Sequence, residues 1–309
     1  MTWLGWRLQR TETIVALGIV ALLSALLVPT GINMWDAYNH GGLGACLGAN
    51  PGFSCGNRIG NFRAQFQSLS DLANWFTLVP GVIGVLLAAP FVADLENGTY
   101  RLAWTQSITR GRWVFTKLGL SLLAALLAGG ALTLLFDWWR GPTAHLDGRL
   151  DTGIYDSTGT VMLGYTLFAL GLAIALGVLW RRSAASLVVA FIGYFATRIL
   201  VDYKLREHLV SPLTATWKGA QQPAFLNDAR ILSLRATIHG HEVLSGGGGG
   251  FIGGTGKVGA APGLKNAIFH AVYQPNSHYW PLQLTETALF AGVALLLIAF
   301  AAWRVLRTD

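Results

Sequence analysis

The chain has 309 residues, of which 53% are hydrophobic, 12% are charged and 12 are tryptophan, with a formal net charge of +7. Soluble domains of ordinary composition carry about twice that charged fraction, so two aqueous domains are excluded in favour of one membrane domain. The positive balance does not point to nucleic acid, because Lys and Arg sit at the ends of apolar stretches and never form a long basic face.

Residues 1–12 interleave Trp3, Leu4, Trp6 and Leu8 with Arg7 and Arg10, the pattern of a short amphipathic helix on a membrane surface. The apolar run that follows has no Ala-x-Ala ending and is too long for a signal core, which predicts an uncleaved first span. Uncharged intervals then run from Thr13 to Trp35, Leu72 to Ala93, Leu118 to Phe136, Ser157 to Trp180, Ser183 to Thr197 and Thr287 to Trp303. About 20 helical residues at ~1.5 Å each cover a ~30 Å hydrocarbon core, so these six intervals predict six transmembrane helices and an all-α membrane protein. The last two are short, and Arg198 and Glu286 must therefore lie near a membrane face or be paired inside the protein. The implied organisation is an amphipathic helix over 1–12, spans one to five over 13–203, an outer loop over 204–282, and the sixth span with a tail over 283–309.

With the amino terminus inside, the inner segments hold Arg7, Arg10, Arg101, Arg110, Arg112, Lys117, Arg181, Arg182, Arg304 and Arg307. The two short outer loops hold only Arg58, Arg63, Arg140 and Arg149. This bias predicts a plasma-membrane protein with both termini in the cytoplasm. The first outer loop, 36–70, is Gly-rich at its start and predicts a small helix near Asn61 to Ser70. It also holds both cysteines, Cys46 and Cys55, around an Asn50-Pro51-Gly52 turn. In an oxidising compartment these predict a disulfide.

The segment 94–117 is dense in acids, Gly, Thr and Arg for a link between two apolar helices, and predicts a docking surface. The second outer loop, 137–156, is acidic and Gly-rich; it predicts irregular structure and no chemistry. Only Arg181, Arg182 and Ser183 separate the fourth and fifth spans, which predicts a tight hairpin. In the long outer loop, Asp202 to Val210 can continue the fifth helix, whereas Gly246 to Gly263 is too rich in Gly for stable secondary structure.

Several catalytic patterns fail. Gly248-x-Gly250-x-x-Gly253 follows no strand and opens no helix, and Gly256-Lys257 is followed by Val258 where a phosphate loop needs Ser or Thr. His239, His241 and Glu242, with His270 and His278 further along, come nearest to a metal site but lack the spacing of an ordered centre. A membrane-embedded enzyme using those three residues, or a receptor whose outer loop binds a ligand, remain as alternatives.

Asp94-Leu95-Glu96-Asn97-Gly98-Thr99-Tyr100-Arg101, followed by Trp104 and Thr105-Gln106-Ser107-Ile108-Thr109-Arg110 and continuing to Arg112 and Lys117, resembles the cytoplasmic loop of type-2 ABC exporter permeases. In that family an acid-x-Gly-Thr motif opens the loop after the second helix. A second stretch, Tyr273 to Glu286, is similar to the approach to the last helix in actinobacterial members. The resemblance implies a permease that dimerises with a second copy of itself and rests on two copies of a separate ABC ATPase. This chain itself would bind no cofactor, and ATP and Mg would enter through that partner. Glu96, Gly98, Thr99, Tyr100, Arg101, Trp104, Arg110, Arg112 and Lys117 would make up the coupling element, with Glu96 and the arginines at a groove rim and Tyr100 or Trp104 as apolar anchors. Spans without charged residues suit an amphipathic or hydrophobic cargo such as a drug, an antibiotic or a lipid.

A last expectation concerns the outer ends of the two shortest spans. Arg198 and Glu286 can neutralise each other if their helices pack, with Asp202 one turn beyond Arg198 as the competing partner. Trp280, Gln283 and Glu286 share one helix face within about 120°. The pattern predicts a polar cluster at an outer gate.

Overall fold

A computed structural model describes residues 2–47, 53–105, 109–219, 222–226, 228–238, 241–247 and 266–307, with side-chain surroundings from residue 13 onward. Its helices are α1 (Thr2–His40), α2 (Phe53–Trp75), α3 (Val79–Glu96), α4 (Thr99–Thr105), α5 (Arg110–Asp147), α6 (Thr152–Tyr155), α7 (Val161–Trp180), α8 (Ser183–Leu200), α9 (Arg206–Leu209) and α10 (Tyr279–Arg307). Among the described residues, six helical stretches are long and apolar enough to cross a membrane: Thr13–His40, Cys55–Glu96, Arg110–Asp147, Val161–Trp180, Ser183–Leu209 and Asn276–Arg307. The protein is a multi-pass membrane protein.

The amphipathic start is continuous with the first span. At 39 residues α1 is about 58 Å long, far more than a ~30 Å hydrocarbon core, so its first turns extend beyond the bilayer.

At the centre stands α7, uncharged throughout, buried along nearly its whole length and packed by α3, α5, α8 and α10. Close approach explains how one helix serves four neighbours. A Cβ added at Gly171 would lie 2.8 Å from the Ala294 carbonyl oxygen of α10, and one at Gly84 of α3 would lie 2.4 Å from the Thr166 carbonyl oxygen of α7. Without a hydrophobic force between helices in lipid, such backbone contact supplies the packing. Outward faces of α1, α5, α8 and α10 stay apolar and exposed, among them Leu22, Leu134, Ile192 and Leu296.

The helix ends gather into two layers. One, here the terminal end, unites the end of α3 with the starts of α5 and α8, through Asp94–Lys117 and Glu96–Ser183. The opposite, sheet end joins α1 to α5 through Trp35 donating to the Trp138 carbonyl at 3.1 Å and Trp139 donating to Thr30 at 3.0 Å. Exposed aromatic rings ring both levels, Trp75, Trp138, Tyr203 and Trp280 at the sheet end and Phe115, Trp180 and Trp303 at the other. Their amphipathic side chains suit the two membrane–water interfaces.

Three connecting regions at the sheet end are more ordered than the sequence suggests. The first loop, 36–70, holds most of α2, whose Phe62 and Phe66 rings pack together and whose Arg63 pairs with Asp147. In the second, α5 runs on to Asp147 and Asp151 then caps α6 by accepting from Gly153 N at 3.1 Å. The third contains a four-stranded antiparallel sheet where a loop was expected. Its strands are β1 (Leu213–Lys218), β2 (Arg230–Ile238), β3 (His241–Gly247) and β4 (Ile268–Gln274), in the order β1-β4-β2-β3. Alternation in β4 puts Phe269, Ala271 and Tyr273 on the face that holds Leu234 and Ala236, forming a small core with Leu226 and Ile231. Gly246 and Gly247 belong to β3; the rest of the glycine tract, with Gly248, Gly250, Gly253, Gly256 and Lys257, lies outside the described residues. Cys46 and Cys55 form the predicted disulfide, with Cα atoms 5.4 Å apart.

Candidate functional site

At the sheet end five ionisable side chains converge. Past Leu200 the fifth spanning helix widens into a π-helical turn, Val201–Leu205, before resuming as α9. The widening keeps Arg198, Asp202 and Arg206 directed at one neighbourhood, a use typical of such turns at functional sites. Arg206 Nε and Nη2 grip Glu286 at 3.0 and 3.1 Å, Nη2 also reaches Asp156 at 2.6 Å, and Nη1 pairs with Asp202. Arg198 reaches the other oxygen of Asp156 at 2.6 Å and donates to the Thr77 carbonyl at 3.2 Å. Tyr155 and Tyr165 donate to Glu286 at 3.2 and 2.7 Å. Arg206 lies over the Tyr155 ring at 4.4 Å, and Arg198 over the Tyr165 ring at 5.1 Å.

Each of Asp156, Arg198, Arg206 and Glu286 is at most 7% exposed. Dehydrated charges persist only when paired and hydrogen-bonded, and here three carboxylates face two guanidinium groups, with two phenols offsetting the surplus negative charge. Burial alone would raise the Asp156 carboxyl, but Arg206 and Arg198 outweigh it and hold it below the ordinary carboxylate range. Burial, reinforced by Glu286, pushes the Tyr155 phenol up, so it remains a donor.

This cluster departs from the expected one in three ways. Arg198 does not pair with Glu286: its acid is Asp156, from a loop to which the sequence assigns no chemistry. Glu286 takes Arg206 instead, and Asp202 also pairs with Arg206 rather than Arg198. Trp280 stands 49% exposed outside the cluster, whereas Gln283 is buried, accepting from Val161 N at 3.0 Å and donating to the Tyr155 carbonyl at 3.1 Å. Tyr155, Asp156, Tyr165 and Arg206 were not anticipated; the only signal for Arg206 was the helix continuation past Asp202.

At the terminal end the loop after α3 forms a short helix, α4. Gly98 has φ +67°, the left-handed conformation that turns the chain out of α3, and the space beside it is open. Asp94 anchors the turn from both sides, accepting from Thr99 Oγ1 at 2.9 Å and pairing with buried Lys117 at 2.8 Å. Thr109 caps the start of α5 through Arg112 N at 3.4 Å. Tyr100 is buried against Trp104 and Trp113, so it anchors α4 to its own chain rather than being offered to a partner. Half-buried Trp104 lies under the guanidinium of Arg110 at 4.6 Å, and Arg101 lies over Tyr100 at 5.8 Å. Arg101, Arg110 and Arg112 are exposed. Glu96, expected at a rim, is exposed and accepts from Ser183 N at 3.0 Å and from the Ser183 hydroxyl. Residues 106–108 lie outside the described residues.

The residues that come nearest to a metal pattern in the sequence are spread over separate elements where they are described. His239 lies outside the described residues; His241 and Glu242 sit in β3, and His270 in β4 contacts Thr216 at 3.1 Å. Among the described residues no three His, Cys, Asp or Glu side chains are grouped to hold a metal ion.

No curated protein and no solved structure matches the chain. A family profile does, over residues 17–206, which include five of the six spans, the α4 loop and the Asp156, Arg198, Asp202 and Arg206 part of the cluster. The chain therefore belongs to the ABC-2 membrane transporter related family.

Proposed function

We propose that this protein is the membrane-spanning permease of an ABC exporter, two copies of which rest on two copies of a cytoplasmic ATPase and move an amphipathic or hydrophobic cargo such as a drug, an antibiotic or a lipid outward. ATP and Mg enter through the ATPase, and the termini and α4 face the cytoplasm. The observation that carries this reading is the α4 loop. Its backbone is anchored by Asp94 with Lys117 and by Tyr100, while Arg101, Arg110 and Arg112 face solvent, as a surface built to meet a soluble partner requires. Family membership supports the presence of a nucleotide-binding partner, and the ten basic residues of the inner segments against four in the two short outer loops support the orientation. The uncharged α7 and the apolar outer faces of α1, α5, α8 and α10 support an apolar cargo, a lipid surround and contact with a second copy. At the sheet end the charge cluster serves as an outer gate that holds the spans together.

The test is purification of the permease with the ATPase encoded beside it, followed by reconstitution in vesicles. A stable complex in which ATP drives a hydrophobic dye out of the permease's cytoplasmic side is the expected result. Failure of any ATPase with Walker motifs to co-purify would remove the reading.

A further inference from the structure

The attachment of α8 is lopsided. Its inward stripe is Ser186, Ala190, Tyr194 and Arg198, one residue per turn, while Val188, Ile192, Phe195 and Leu200 are 43–62% exposed on the remaining sides. Helices usually bury three or four residues in two turns, so this seam is narrow. Along it the one aromatic side chain is Tyr194, which lies against Gly81 and donates to the Thr77 carbonyl at 3.1 Å. Polar fastenings occur at the two ends: Glu96 on Ser183 at one, Arg198 and the following Arg206 in the charge cluster at the other.

The first of these fastenings has a specific chemical role. Arg182 stands at the cap position of α8 and makes no side-chain cap bond. The acceptor that a Ser or Asp would ordinarily supply there comes instead from the last residue of another helix, Glu96, whose carboxylate meets the first amide and the positive end of the helix dipole. Glu96 is also two residues before Gly98, where the chain turns into α4. Any displacement of α4 that moves the end of α3 therefore acts directly on the start of α8.

We infer that Glu96 and Ser183 are positioning residues: they form a strut that carries motion of the α4 loop into α8, and α8 carries it to the charge cluster at the opposite end. The inference rests on the reading of α4 as the ATPase contact and assigns Glu96 a role inside the permease rather than in docking. The two roles demand different chemistry. A strut needs an acceptor at the right reach, whereas docking at a rim needs the charge.

Glu96→Gln keeps an acceptor at full length, Glu96→Asp keeps the charge but is one methylene short, and Glu96→Ala has neither. Each is made in a complex of permease and ATPase in lipid nanodiscs, carrying Lys204→Cys as a reporter on the exposed π-helical turn; the native cysteines are paired. The rate of labelling by a water-soluble maleimide is measured with and without ATP plus vanadate. In the parent, trapping should change the rate by about fivefold or more, the lower end of ordinary coupling energies. Glu96→Gln should keep that change, and Glu96→Asp and Glu96→Ala should reduce it below about twofold while the ATPase still co-purifies. Loss of the ATPase in the Gln and Ala variants together, or a parental labelling change in all three, overturns the strut. A parent that carries no ATPase overturns the permease reading and the strut with it.

Discussion

The two ends of the bundle use the same side chains under opposite conditions. At the sheet end Arg198 and Arg206 are dehydrated, and their carboxylate, carbonyl and phenol partners are fixed in position. At the terminal end Arg101 and Arg110 are exposed and lie over the Tyr100 and Trp104 rings. Buried pairs cost much to break because a lone charge is left without water, while exposed charges contribute little to stability and adapt to whatever approaches. The sheet end therefore fixes one arrangement, and the terminal end keeps its arginines at the surface.

The strongest way to break this contrast is Arg206→Ala. Its loss leaves Glu286 and Asp156 facing each other with Arg198 alone to balance them, at a cost of about 3–5 kcal/mol by the measure of broken buried pairs. Thermal unfolding in detergent, followed by size-exclusion, should show a large drop in midpoint or no folded peak. Charge reversal of Arg198 and Glu286 together should not rescue either single reversal, since these two side chains do not pair. A melting midpoint within a few degrees of the parent for Arg206→Ala would show that water enters the cluster.

How much of this was legible in the sequence differs between the ends. Six spans, the disulfide and the α4 segment follow from runs of uncharged residues, cysteine count and motif spacing, all of which are local. Arg198 and Glu286 stood out because they interrupt short spans. Their true partners did not, because Asp156 lies 42 residues from Arg198 in a segment that reads as a loop, and Arg206 lies 80 residues from Glu286 in a stretch that reads only as more of the fifth helix. The π-helical turn that redirects Arg206 has no simple composition signal. By contrast the sheet was readable and was overlooked: Leu232-Ser233-Leu234-Arg235-Ala236-Thr237-Ile238 alternates as a half-buried strand should, but the neighbouring glycine tract dominated the reading of that loop. Glu96 stands out by its motif, but no sequence pattern reveals that its carboxylate also accepts from the start of a helix 87 residues away.

A smaller effect belongs to the outer loop. Closing about ten residues with the Cys46–Cys55 bridge restrains the unfolded segment by roughly 2–3 kcal/mol in the chain-entropy account. Cys46→Ser with Cys55→Ser should raise protease cleavage of the detergent-solubilised protein between α1 and α2 by a large factor, while leaving the midpoint of the bundle nearly unchanged. Equal loss at both levels would mean that the loop supports the charge cluster.

Smaller again in stability, but larger in activity, is Gly98→Val. The open space around Gly98 removes any steric objection to the side chain, so the penalty is confined to the left-handed backbone, about 1–2 kcal/mol for a β-branched residue. That strain falls on the turn into α4. The variant should insert and melt like the parent, yet lose most substrate-stimulated ATPase activity, and Gly98→Asn, which tolerates this conformation, should retain more of it.

The smallest effect tests whether every acid at the sheet end is bound as tightly as Asp156. Asp151 is not: burial, reinforced by Asp147, raises its carboxyl above the ordinary value, so the folded state prefers it protonated. A group whose folded pKa is raised contributes stability below its unfolded pKa and loses it as pH rises through the folded one. Asp156, lowered by its two arginines, has the opposite sign: its contribution is present above the ordinary Asp range near 3.9 and fades as pH falls through the lowered value. Asn at 151 keeps the cap on Gly153 without the charge. Asp151→Asn should thus leave stability unchanged in mild acid and increase it, by up to about 1 kcal/mol, as pH rises through the raised value of the wild-type carboxyl. Melting midpoints measured from pH 4.5 to 8 should show the variant and parent diverging upward with pH. A variant less stable than the parent at pH 7 would mean that Arg140, close enough to lower Asp151, binds it as firmly as Arg206 binds Asp156, and the sheet end would then hold two ionic locks instead of one.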